Sequence, residues 1–323
     1  MPTSSQRRTP DKESLRGKVA IVTGASQGLG QYLSHELASV GVTVVLAARN
    51  VERLQAVANE IEGSGGTAIA IPTNVASQDD CRALIDTTIE RFGRIDILVL
   101  NAGFAAYGRL EELQNFDPIR DAMEINFFGA AYPTYLALPH LVAAKGLIAY
   151  VTSGSGHLPM AGYLGYTTSK HAMNGFFEAL RLELFPRDVD VLGINPGDMY
   201  NDDGAGRTVF APDGSQHKVD LSIRRKNDIP RVPASTVAKQ CVAAIVDRRR
   251  EIDLSPIVQK IGTRVRPLAP GLIDRRIYQK ATTMRSAFDA LADELHAERH
   301  PEFDPTCLWC AERSQSAART GAR

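Results

Sequence analysis

Tyr166 and Lys170 stand four residues apart in the stretch Tyr-Thr-Thr-Ser-Lys. On a helix that spacing puts two side chains on one face, able to act on the same small volume. A phenol is a poor acid at neutral pH, with a reference pKa of about 10, and each pKa unit is worth about 1.4 kcal/mol. Bringing it to about 7 needs about 4 kcal/mol, which an ammonium about 4 Å away supplies at a surface-like dielectric. The pair could make this tyrosine a working proton donor. Of the nine tyrosines, Tyr166 alone has a lysine at that offset. A phenol so tuned suits hydride transfer to a carbonyl, because the alkoxide must be polarised and protonated as it forms. Ser153, thirteen residues earlier, is the candidate partner for the carbonyl oxygen, with Ser155 as a rival.

Such chemistry needs a scaffold. Residues 18–23 are a short β-branched run closed by glycine, as expected of a buried parallel strand. Then come Thr23-Gly24-Ala25-Ser26-Gln27-Gly28-Leu29-Gly30 and an amphipathic stretch, 31–40. A glycine turn between strand and helix lets backbone N–H groups approach a pyrophosphate at the positive end of the helix. Gly24, Ser26, Gln27, Gly28, Leu29 and Gly30 are therefore candidates for cofactor contact. The second strand, 42–48, ends at Arg49. An acid at such a strand end hydrogen-bonds the ribose of NAD, whereas an arginine accommodates the 2′-phosphate of NADP. With Ala48 in place of the acid and Arg49 beside it, the expected cofactor is NADP(H). A helix over 51–62, a strand over 68–71, Thr73-Asn74-Val75, a helix over 77–92 and a strand over 94–100 follow, the last ending at Asn101-Ala102-Gly103. Four strand-then-helix units predict an α/β fold with a single Rossmann-type, doubly wound parallel sheet. Ligands of such sheets bind at the carboxyl ends of the strands. Gly24, Arg49, Asn74, Val75, Asn101, Ala102 and Gly103 all fall there.

Asn126 lies in a helical segment, 117–138, interrupted by Gly129 and Pro133. A strand over 147–152 ends at Ser153, a loop follows, and the helix with Tyr166 and Lys170 runs to about 185. Tyr163, one turn earlier, reads as pocket wall and His157 as a solvated loop residue. A sixth strand, 189–193, leads to Asn195-Pro196-Gly197. In their order and spacing, the glycine motif, Asn101-Ala-Gly103, Asn126, Ser153, Tyr166-x-x-x-Lys170 and Pro196-Gly197 resemble the short-chain dehydrogenase/reductase family, over about 17–200 and faintly to about 280. Met123-Glu-Ile-Asn-Phe-Phe-Gly and Lys170-His-Ala-Met-Asn-Gly-Phe-Phe-Glu resemble its hydroxysteroid-dehydrogenase-like branch. The resemblance implies that Lys170 also grips the nicotinamide ribose, that Asn126 holds a water feeding protons to Lys170, and that Pro196 and Gly197 line the nicotinamide. It also implies a homodimer or homotetramer. The chain departs from the family where a threonine usually follows Pro-Gly; here Asp198-Met-Tyr-Asn-Asp-Asp203 stands instead.

The remainder sets the boundaries. Residues 1–16 read as a polar N-terminal tail, 17–255 as the NADP-binding and catalytic domain, 256–300 as a basic, amphipathic helical extension and 301–323 as a polar C-terminal tail. Within the domain, 198–232 is a long polar stretch, a lid or a surface loop. Residues 233–247 read as a helix capped by Ser235 or Thr236, and 251–254 as a strand completing the sheet. Residues 257–285 carry seven basic side chains against Asp274, interleaved with apolar ones, and suit either peripheral membrane contact or a helix pair on the body. Met284, Phe288, Leu291 and Leu295 repeat at helical spacing. The pair Cys307 and Cys310 has no second cysteine pair for a metal site, so no metal is expected. Lysine and arginine (37) balance aspartate and glutamate (37), which gives no pull toward nucleic acid. With 44% hydrophobic residues, no apolar leader and no spanning run, a cytoplasmic protein, peripheral to a membrane at most, is expected. The expected activity is interconversion of a carbonyl and a secondary alcohol on a lipophilic, steroid-, acyl- or terpenoid-like substrate, with NADP(H). The rivals are a catalytically silent NADP(H)-binding sensor and an NAD-linked alcohol dehydrogenase.

Overall fold

Alternate residues of the early strands feed opposite faces of one sheet. In β1 (Val19–Thr23), Ala20 and Val22 join one buried cluster while Val19 and Ile21 join the other. After α1 (Gly28–Ser39), β2 (Thr43–Ala48) divides the same way, Val44 and Leu46 against Val45 and Ala47. Strands buried on both faces read as continuous apolar runs, and the period of two assigns each residue its face. The computed structural model describes residues 12–106, 108–200 and 231–279, with the backbone of 207–210 and 216–219. Two units are distinguished, Met1–Pro270 and Gly271–Arg323; of the second, residues 271–279 are described and are helical.

The first unit continues with α2 (Val51–Gly63), β3 (Thr67–Pro72), α3 (Gln78–Phe92) and β4 (Ile97–Leu100). Asn50 caps α2 through the Arg53 N–H, and Ser77 caps α3 through the Asp80 N–H. Next come α4 (Asp117–Ala122), a π-helical turn (Met123–Phe128) and α5 (Gly129–Ala144). Gly129 and Pro133 do not interrupt this segment as expected: helix α5 runs past Pro133 and Pro139 to Ala144, and Pro133 is itself buried. The irregularity sits earlier, in the π turn that holds Asn126. Then follow β5 (Leu147–Val151), α6 (Leu164–Leu184) and β6 (Asp190–Asn195).

Within 198–232, β7 (Met199–Tyr200) pairs with β10 (Val232–Pro233), and β8 (Arg207–Phe210) pairs antiparallel with β9 (Gln216–Val219). The last elements of this unit are α7 (Ala234–Val246), β11 (Glu251–Asp253) and α8 (Ile257–Val265). The N-cap of α7 is Pro233, with no side-chain cap; Ser235 and Thr236 lie inside the first turn, too far along to cap it. The sheet is parallel, in the order β11-β6-β5-β4-β1-β2-β3. The two sides of β1 thus run in opposite directions of chain order, so the crevice for a ligand opens at the carboxyl ends of β1 and β4. Cys81 and Cys241 are buried, and burial pushes each thiol up to about 12, far from thiolate chemistry. The pair Cys307 and Cys310 and the 284–295 pattern lie outside the described residues.

Candidate active site

The crevice is built by close backbone approach. Gly24 has φ +66°, and a Cβ there would lie 2.9 Å from Ala102 Cα; a Cβ on Gly30 would lie 2.3 Å from the Gly24 carbonyl oxygen. Only glycine fits at either place. Asn101 donates from Nδ2 to the carbonyls of Thr23 (3.0 Å) and Gly24 (3.3 Å). Thr23 Oγ1 accepts the N–H groups of Asn101 (3.0 Å) and Ala102 (3.1 Å). Asn101 therefore locks β4 to the glycine turn. Gln27 is the N-cap of α1 but makes no side-chain cap, which leaves the first amides of that helix open to an anionic group. This cradle fits a dinucleotide pyrophosphate.

Around it, Arg49 is exposed at the end of β2. Asn74 is exposed beyond β3, its N–H donated to Asp80 Oδ2 (2.9 Å), while Val75 is buried. A Cβ on Gly129 would meet Val75 Cγ2 at 2.6 Å, so Val75 packs on α5. Gly103 is exposed, and Pro196 and Gly197 are partly buried beyond β6, where the Gly197 N–H is donated to Asn195 Oδ1 (3.3 Å). Sequence reading passed over Arg53, whose Nη1 donates to Gln27 Oε1 at 2.8 Å and brings a second guanidinium to the glycine turn.

The four chemistry-bearing residues come from β5, α6 and the π turn. Ser153 sits just past β5, its Oγ accepting the Ser155 N–H (3.2 Å), which leaves its hydroxyl hydrogen for another acceptor. The rival Ser155 is buried and donates to Met160 Sδ (3.1 Å). Tyr166 is partly buried in the first turn of α6. Lys170 is buried, with Nζ donating to the Val151 carbonyl (2.8 Å) and lying 5.8 Å from the centre of the Tyr166 ring. Tyr163 meets Tyr166 edge-on, centroids 6.5 Å apart.

Asn126 is fully buried. Its Oδ1 accepts the Phe104 N–H (2.7 Å), and its Nδ2 donates to the Phe104 carbonyl (2.9 Å) and Ser169 Oγ (2.8 Å). Ser169 Oγ donates in turn to the Tyr166 carbonyl (2.9 Å). Asn126 is no helix cap but a brace between the loop after β4 and the Tyr166–Lys170 turn. Both amide hydrogens are committed, so only Oδ1 or the backbone could still hold a water. The link through Ser169 was not visible in sequence, because Asn126 and Ser169 are 43 positions apart.

A motif-level comparison decides the lineage: residues 18–205 match the family described as short chain dehydrogenase. The chain belongs to that family. Within the family it falls in the hydroxysteroid-dehydrogenase-like branch. It is 39% identical over 191 residues to "11-beta-hydroxysteroid dehydrogenase-like 3" of Arabidopsis thaliana, covering 59% of this chain and 62% of that protein. With "11-beta-hydroxysteroid dehydrogenase A" of Sesamum indicum it shares 39% over 186 residues, 57% of this chain and 53% of the relative. The chain thus spans about three-fifths or less of the length of these relatives. With "11-beta-hydroxysteroid dehydrogenase 1A" of Arabidopsis thaliana the match is 32% over 280 residues, 84% of this chain and 78% of the relative. Among solved structures, an alcohol dehydrogenase from the archaeon Thermococcus sibiricus, complexed with 5-hydroxy-NADP, superposes with TM-score 0.62 at 25% identity, covering 73% of this chain and 95% of that chain. A metagenomic short-chain oxidoreductase in complex with NADP gives TM-score 0.61 at 28% identity, covering 75% and 99%. Among the described residues of this chain, no cluster could hold a metal ion and no helix is long and apolar enough to cross a membrane.

Proposed function

We propose that this dehydrogenase interconverts a carbonyl and a secondary alcohol on a lipophilic substrate, using NADP(H). The observation that carries the reading is the convergence of Tyr166, Lys170 and the Ser153 turn, with Lys170 Nζ near the Tyr166 ring and bonded to the strand end before Ser153. When bound, the nicotinamide supplies or accepts the hydride. Ser153 donates its hydroxyl hydrogen to the carbonyl oxygen and polarises it. Tyr166 delivers a proton to the same oxygen as charge develops there. The ammonium of Lys170 favours the phenolate that remains and holds the ribose. Asn126 keeps that turn of α6 in place through Ser169. Gly24, Ser26, Gln27, Gly28, Leu29 and Gly30 hold the pyrophosphate, Arg49 the 2′-phosphate, and Asn74, Val75, Asn101, Ala102, Gly103, Pro196 and Gly197 the remainder of the cofactor.

The apolar residues Leu158, Met160 and Leu164 before and at the start of α6 support an apolar substrate, and helix α8 supports a lipid-facing location. Helix α8 turns Ile257, Val258 and Ile261 outward, where they are 66%, 72% and 52% exposed, so the cytoplasmic protein would touch a membrane along this helix. The reading further includes assembly into a homodimer or homotetramer. A silent cofactor sensor would have no use for the serine, tyrosine and lysine together.

The test is oxidation of NADPH, and separately NADH, across lipophilic ketones, aldehydes and oxo-steroids. Tyr166→Phe should cut turnover by about 100-fold or more while leaving NADPH affinity nearly unchanged. Equal loss of cofactor binding would make Tyr166 structural, and tight NADPH binding with no turnover by the parent protein would favour the sensor.

A further inference from the structure

Helix α6 carries one more polar side chain in register with Tyr166 and Lys170. Asn174 lies four residues past Lys170, on the same helix face, and is buried. Its Nδ2 donates to the Gly156 carbonyl at 2.9 Å and lies 3.4 Å from His157 Nε2. Lys170 donates to the Val151 carbonyl at 2.8 Å. One bond thus grips the chain before Ser153 and the other grips it after. Between them, Ser153 Oγ accepts the Ser155 N–H and closes the short turn. Gly156 permits this approach: a Cβ there would lie 2.7 Å from both Asn174 Nδ2 and Thr152 Oγ1, and 3.1 Å from the Lys170 carbonyl oxygen.

Packing does not account for Asn174. Its Oδ1 is buried with no hydrogen-bond partner among the described residues, a destabilising arrangement that an apolar side chain of similar size would avoid. What the amide contributes is the bond to Gly156. We infer that Asn174 is a positioning residue which, with Lys170, staples the 153–156 turn to α6 and so sets Ser153 Oγ against Tyr166. The inference rests on the proposed roles of Ser153 and Tyr166. It adds a specific requirement to them, because a displacement of about 1 Å at a reacting group can cost about 100-fold in rate.

The experiment is a double-mutant cycle between Asn174→Leu and Ser153→Ala, read with NADPH and an oxo-steroid or cyclic ketone, alongside NADPH binding by fluorescence. Asn174→Leu should lower kcat about 10- to 100-fold with the NADPH dissociation constant changed by no more than about twofold. In the Ser153→Ala background the same substitution should cost little more, since its target is already gone. Losses that multiply would mean Asn174 acts elsewhere, and would overturn the proposal while leaving the catalytic reading intact. Full turnover by Ser153→Ala would instead remove that reading, and the proposal with it. Asn174→Ala removes the donor without adding bulk or charge, so it should show the same pattern if the leucine variant folds poorly. Independently of any substrate, a crystal structure of either variant should show the 153–156 turn shifted away from α6; an unmoved turn would overturn the inference.

Discussion

At the scale of single residues, the proposed preference for NADP(H) rests on one guanidinium at a strand end. Arg49 is exposed where β2 stops, and a charge-assisted bond from it to a 2′-phosphate is worth about 1.5–3 kcal/mol. Arg49→Ala should therefore raise the NADPH dissociation constant about 10- to 100-fold and barely move that of NADH. Equal losses, measured by fluorescence titration of both cofactors, would sink the phosphate assignment. Arg49 could be seen in sequence because strand ends carry a known positional meaning. Arg53 could not: it reaches Gln27 across 26 positions, and only the fold brings the start of α2 beside the glycine turn. Asn174 is an intermediate case. Its offset from Lys170 puts it on the right helix face, but its partner is a backbone carbonyl, which no side-chain pattern marks.

At the scale of elements, the sheet is held together at the end opposite the site by Asp96. Its buried carboxylate accepts the Val19 N–H (2.9 Å) and two bonds from Arg94 (2.8 and 2.5 Å). Its own N–H is donated to the Val19 carbonyl and its carbonyl accepts the Leu147 N–H, so one residue ties together the starts of β1, β4 and β5. Asp96→Ala should lower unfolding free energy by about 3 kcal/mol, seen as a lower denaturant midpoint, with kcat per folded molecule preserved. A fall in kcat at full stability would show that the amino-terminal edge communicates with the site. The interior strands β1, β2, β4 and β5 were legible because both faces of each are buried, which writes an uninterrupted apolar run. The π turn at Met123–Phe128 was not, since one extra residue in a helical turn leaves no mark on an apolar pattern. The start of α7 was misplaced because Ser235 and Thr236 are good caps by type, while the helix begins directly after Pro233. β7 and β10 are two residues each and were missed for their brevity.

At the scale of the molecule, α8 is polar toward the protein and apolar toward solvent. Lys260 Nζ donates to the Asp253 carbonyl (2.7 Å), Gln259 comes within 3.3 Å of a Cβ placed on Gly154, and Ile257, Val258 and Ile261 face outward. The helix therefore joins the 153–156 turn to an open apolar face. In sedimentation with anionic phospholipid vesicles, the double substitution Ile257→Asp and Ile261→Asp should weaken binding at least about tenfold, each charge opposing insertion. Retention equal to the parent protein would exclude this helix as the contact. The sheet order also bears on synthesis. The first strand made is an interior one: β1 can pair with β2, and β2 with β3, as soon as residues to 72 exist, but the other edge of β1 waits for β4, at residues 97–100. Until then β1 presents a row of unpaired backbone groups, a template for pairing with another nascent chain. For β1 that exposure ends when β4 pairs with it and Asn101 reaches Thr23 and Gly24, the bonds that line the proposed cofactor crevice; the open edge then passes to β4 until β5 is made.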